Sequence, residues 1–170
     1  MAAYFASITD EQAELIRNTP LFFIATAAPT PADISDGVGP INISPKGGVP
    51  LHIINRNHVA FLNYAGSGNE TERHSLSGSA ITVMICSFES EDAAIVRLYG
   101  KATVTPISES ELAEQLLATG ATEMKLTPRQ VVEIDIEKTS TSCGYGVPVM
   151  EFVRERRTVD HGKRYKTYRK

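Results

Sequence analysis

Apolar positions along this chain follow two rhythms. Between residues 21 and 106 they fall mostly into unbroken runs, and from 129 to 142 they alternate with polar residues. Only short stretches near residues 10–18 and 111–119 repeat at the helical period. LFFIATAAP, beginning at Leu21, is the pattern of a strand buried on both faces. INIS (41–44) is a shorter strand, and PKGG (45–48) reads as the turn after it. VPLHIIN (49–55) and HVAFLNY (58–64) read as a hairpin around the polar pair Arg56-Asn57. AITVMICSF (80–88) and AAIVRLYGKATVTP (93–106) form a second strand pair. The alternation in RQVVEIDIEKTSTS (129–142) marks a half-buried strand.

Helix signals are fewer. Thr9-Asp-Glu-Gln12 is a capping box, and a helix from it should end near Asn18, before Pro20. Ser108-Glu-Ser-Glu111 is a second box opening ELAEQLLAT, which Gly120 ends. NETERHSL (69–76) predicts one or two helical turns. The Pro/Gly/Asp-rich stretch at 31–40 is a loop. CGYGVPVMEF is a loop leading to a terminal helix. The sum is about six strands and three or four short helices. Crossover helices between successive strands are missing, so the expected fold is mainly β, an antiparallel barrel covered by a few helices rather than a doubly wound sheet.

Composition adds bounds to this pattern. The 170 residues suit one domain, residues 1–170, with an ordinary apolar share of 42%. No apolar run is long enough to span a bilayer as a helix, and the first residues lack a secretory pattern. Cys86 and Cys143 match no metal spacing, and a reduced, cytoplasmic protein is the simplest expectation. Charge is uneven. Residues 154–170 hold eight Lys or Arg and two Asp or Glu, a net of +6, leaving −9 for the rest of a chain whose total is −3. No aromatic platform or nucleic-acid motif accompanies that basic tail, so a solvated terminus is expected, with no nucleic-acid or membrane partner.

The usual catalytic constellations are missing. His52, His58, His74 and His161 have no zinc-helix spacing, and there is no nucleophile elbow or P-loop. Cys143 has no base identifiable beside it. Three stretches do carry anion donors. NISPKGG (42–48) offers a hydroxyl, a lysine and glycines that permit close backbone approach. GSGNET (66–71) exposes N–H groups before a predicted helix, and reads either as an ordinary turn or as an anion cradle. Arg97, inside the apolar IVRLYG, needs a partner if buried, whether carboxylate or ligand. A chain with such cradles and no acid–base apparatus of its own points to a cofactor that brings the chemistry.

The order FFIATA, INISPKGG, FLNYAGSGNETERH, ITVMICSF, IVRLYG, CGYGVPVMEF resembles the pyridoxamine 5'-phosphate oxidase-like family of FMN-binding split-barrel proteins over about residues 20–155, and within it the subgroup carrying SPKG and GSGNET. That resemblance implies a six-stranded antiparallel split β-barrel, a homodimer with FMN at the subunit interface, and hydride transfer with an unidentified small molecule. A flavin-binding protein without turnover, and a barrel holding deazaflavin or haem, are the alternatives. By the resemblance, Asn42, Ile43 and Ser44 lie beside the flavin and Lys46 meets its phosphate. Asn63 ends the next strand, while Ser67, Asn69, Thr71 and His74 lie where further phosphate contacts are expected. Glu70 suits a cap or an Arg partner, and Arg97 joins the binding set. Tyr145 reads either as lining the substrate side, with Cys143, or as a core tyrosine. Departures are equally specific. The family's Arg-Leu-His-Asp element is matched by Arg157-Thr-Val-Asp160, its tryptophan is missing, and Ile95 stands for a ring-contacting glutamine. These argue against oxidation of vitamin B6 but not against flavin binding.

Overall fold

The computed structural model describes residues 1–31, 34, 39–65, 68–119 and 127–156. The chain begins with a short strand, β1 (Ala3–Phe5), and a helix, α1 (Asp10–Asn18). Then follow β2 (Leu21–Ala27), β3 (Ile41–Gly47), β4 (His52–Asn55) and β5 (His58–Tyr64). Next come α2 (Glu70–Leu76), β6 (Ala80–Cys86), β7 (Ala94–Pro106), α3 (Ala113–Thr119) and β8 (Pro128–Cys143). The strands join in the order β3-β2-β6-β7-β8-β5-β4, and β1 adds to β8. Every pairing is antiparallel.

The mainly β expectation therefore holds, with a correction. The described sheet has eight strands rather than six, and its ladder does not close on itself. One strand that no sequence signal marked is β1. It pairs Ala3–Phe5 with Thr139–Thr141 along the same edge of β8 that β5 occupies from His58 to Tyr64. Asn57 marks the handover. Its Nδ2 donates to Ala6 O at 2.8 Å and Ile136 O at 3.1 Å, while Ile136 N donates to Asn57 O at 2.8 Å. A strand of three exposed residues has no apolar rhythm to announce it.

Alternation sets the two faces. Phe22 and Ile24 of β2, Ile81, Val83 and Ile85 of β6, Val96 and Leu98 of β7, and Ile134 and Ile136 of β8 turn into one core. Across it, Phe22 and Phe61 meet edge to face with centroids 5.4 Å apart. Gly100 sits at the irregularity where β7 crosses β8. A Cβ there would lie 1.9 Å from Asp135 O, so only glycine permits this approach.

The first capping box forms as expected. Gln12 N donates to Thr9 Oγ1 at 3.3 Å and Thr9 N to Gln12 Oε1 at 3.1 Å. The second does not open its helix. Residues 107–109 form a turn, Ser110 Oγ accepts from Leu112 N, and α3 starts only at Ala113. Likewise PKG is not a turn but the end of β3, which runs on because Leu21–Phe23 continue to pair with Pro45–Gly47. The chain reverses at Gly48, whose φ of 72° suits glycine. The first hairpin strand is shorter than 49–55, since Val49 and Leu51 are buried outside any ladder. Residues 144–156 hold no helix. The expected helix-ending Gly120 and the segment Arg157–Asp160 fall outside the described residues, as does most of the basic tail. No helix of the described residues is long and apolar enough to cross a membrane.

Candidate functional site

The core-facing positions of β3 are polar. Asn42, Ser44 and Lys46 alternate with exposed Ile41, Ile43 and Pro45, and they stand opposite Thr26, Ile24 and Phe22 of β2. The polar row therefore lies on the inner, half-buried side of β3. There it contacts α2 through Thr71 and β5 through Asn63.

Two clusters result. In the first, Asn42 Nδ2 donates to Thr71 Oγ1 at 3.2 Å and to Thr26 Oγ1 at 3.5 Å, and Ser44 Oγ donates to Asn42 Oδ1 at 3.1 Å. Thr26 Oγ1 also bonds His74 Nδ1 at 2.9 Å. His74, 2% exposed, thus works inside the cluster as a packing and hydrogen-bonding group. In the second, Lys46 Nζ donates to Asn63 Oδ1 at 3.1 Å, and Asn63 Nδ2 donates to Gln130 Oε1 at 3.4 Å. Gln130 Nε2 donates to Glu72 Oε1. Arg129 bonds both, with Nε on Gln130 Oε1 at 3.0 Å and a terminal nitrogen on Glu72 Oε2 at 3.3 Å. Asn42 of the NISPKGG stretch thus bonds Thr71 of GSGNET across the fold.

Lys46 gives this site its electrostatic character. Its side chain is half-buried, its ammonium lies 5.8 Å from the Phe61 ring centroid, and it has no carboxylate partner among the described residues. Burial pushes its pKa below the ordinary lysine value, and the nearby Arg129 charge adds to the effect. A desolvated cation beside a second cation is a place where an anion is favoured. The start of α2 contributes less positive character than its glycine-rich approach suggests. Its first turn carries Glu70 and Glu72, and Asn69 makes no side-chain cap. Ser67 falls outside the described residues.

Other expected residues lie elsewhere. Arg97 is on the outward face of β7, half-exposed, with Nη1 donating to Ser142 Oγ at 3.0 Å, so the strand does not bury an unpaired guanidinium. Cys143 ends β8 opposite Ala94, at the far end of that strand from Gln130, and Tyr145 is 88% exposed. Neither touches the Lys46 cluster. Thr26, Glu72, Arg129 and Gln130 were not legible as site residues. Arg129 and Gln130 open an alternating strand and read as ordinary polar positions. Only the β5–β8 register, which sets Asn63 against Gln130, gives them a role.

Comparison with known proteins agrees with this architecture. Residues 8–143 match the family model described as pyridoxamine 5'-phosphate oxidase. The chain belongs to the pyridoxamine 5'-phosphate oxidase family. It is 30% identical over 154 residues to the pyridoxamine 5'-phosphate oxidase family protein ustO of Aspergillus flavus, a match covering 89% of this chain. The matched region spans 58% of that relative's length. Among solved structures, HupZ of Group A Streptococcus superposes with a TM-score of 0.57 at 22% identity, over 78% of this chain and 91% of that one. A Clostridium acetobutylicum protein related to general stress protein 26 of B. subtilis (pyridoxinephosphate oxidase family) superposes at 0.51 and 9% identity, over 78% and 86%.

Proposed function

We propose that this chain binds FMN and serves as an oxidoreductase on a small molecule, working as a homodimer with the flavin at the subunit interface. The observation that carries this reading is the Lys46 ammonium, desolvated, without a carboxylate partner, and held by Asn63 beside Arg129. The donor set fits a phosphate monoester, which needs charge and several N–H or O–H groups in a small space. Bound flavin would supply hydride acceptance or donation, chemistry that no side chain here provides.

The chain's own residues do the rest. Lys46 and Arg129 hold the phosphate by charge, while Asn63 and Gln130 fix where those charges sit. Asn42, Ser44 and Thr71 present amide and hydroxyl groups along the same edge. β3 ends the described sheet, so one side of its backbone is free of ladder partners and can meet a flavin ring or a second subunit. Ile41 and Ile43, 66% and 67% exposed on its outer face, give that contact an apolar surface that also excludes water.

The test is an absorption spectrum of the purified protein, followed by titration of the ligand-free form with FMN and mass spectrometry of any extracted ligand. A flavin spectrum and saturable FMN binding are expected. A colourless protein that takes up no FMN on titration overturns the assignment. A deazaflavin or haem in the extract replaces the cofactor while keeping the fold.

A further inference from the structure

A cleft of about 740 Å³ opens between α1, the loop after β6 and residues 150–152, and shares no lining residue with the Lys46 cluster. Six carboxylates stand around it, on Glu11, Glu14, Glu89, Glu91, Asp92 and Glu151, with no Lys or Arg among its lining residues. Among the described residues none of the six takes part in an ion pair. Its apolar surface comes from Leu15, Phe88, Met150 and Phe152. Like charges gathered around one concavity repel each other and favour a cationic occupant.

The chain carries a segment of matching chemistry. RTVDHGKRYKTYRK, residues 157–170, has six Lys or Arg against one Asp, with Tyr165 and Tyr168 among them. It is tethered to the cleft's own wall. Met150 N donates to Phe88 O at 3.0 Å, Glu151 and Phe152 line the cleft, and Arg157 follows five residues after Phe152. Fourteen residues reach about 46 Å when extended, enough to cross back over the opening. So short a tether also makes the local concentration of the segment high.

We propose that residues 157–170 dock in the acidic cleft of their own chain, their cations against the rim carboxylates and their tyrosines on the apolar floor. Docking of this kind draws on many weak charge contacts and fades as salt screens them.

Carbodiimide coupling of the full-length protein, read by mass spectrometry, tests this directly. The expected products join Lys163, Lys166 or Lys170 to Glu89, Glu91, Asp92 or Glu151. In a mixture of isotopically labelled and unlabelled protein, each such product should carry a single isotope. Limited trypsin digestion supplies the second readout. Because cleavage follows the open fraction, a segment docked nine-tenths of the time is cut about tenfold more slowly than an undocked one. That protection should vanish in the exposed-loop variant Glu89→Lys/Glu91→Lys/Asp92→Lys and fall in its milder form Glu89→Gln/Glu91→Gln/Asp92→Asn. Equal cleavage of parent and both variants, with no coupling to these carboxylates, overturns the proposal. Products of mixed isotope overturn the same-chain assignment. The flavin titration is independent of this experiment, so the two proposals fail separately.

Discussion

Lys46 is where charge, partial burial and the proposed phosphate contact meet. Lys46→Ala should weaken FMN binding by about 1.5–3 kcal/mol, the usual value of a charge-assisted contact, or one to two orders of magnitude in Kd. Unchanged affinity in a calorimetric titration removes the phosphate assignment. The same side chain sets a pH dependence. Its folded pKa lies below the unfolded one. Between the two values the unfolded chain binds more protons, so the ligand-free protein should gain stability as pH rises through that window toward the ordinary lysine range. Urea melts of the parent should show that rise, and Lys46→Met, which removes the half-buried charge, should not. The thiols give a third residue-scale expectation. Burial raises the pKa of Cys86, offset in part by Arg97, whereas Cys143 is exposed. Mass spectrometry after brief alkylation should find Cys143 labelled first. Lys46 was visible in the sequence because SPKG marks it. Arg129 and Glu72 were not, because their importance comes from partners far along the chain, joined only by strand register.

At the scale of elements, legibility followed how local the cause is. The helix at Asp10–Asn18 was readable because Thr9 and Gln12 cap it within four residues. Thr9→Ala should therefore cost about 1 kcal/mol in a urea melt. The helix after β7 started late because the local box lost to the turn that the preceding strand imposes. The extension of β3 through Pro45-Lys46-Gly47 was hidden for a related reason. Pro and Gly signal a turn, and only the neighbouring β2 holds them extended. Gly100 gives the sharpest element-scale test. Gly100→Ala drives a methyl into the Asp135 carbonyl, and should cost about 3 kcal/mol or more or prevent folding. A urea midpoint equal to the parent's contradicts this packing.

For the whole molecule, apolar rhythm was enough to give a mainly β, antiparallel fold with short helices. It could not give the number of strands or the open ladder, since β1 carries no apolar signal and pairs across more than 130 residues. The proposed homodimer draws on the exposed isoleucines of β3, and light scattering during gel filtration should return the mass of two chains.

The sixteen residues of β8 carry β7 on one side and both β5 and β1 on the other. On the ribosome this strand is made after every element it joins. The N-terminal strand must wait, unpaired, until residues 139–141 have emerged. Assembly of the sheet is thereby delayed until β8 has emerged, and nascent chains that stop before it expose several unsealed strands prone to aggregate.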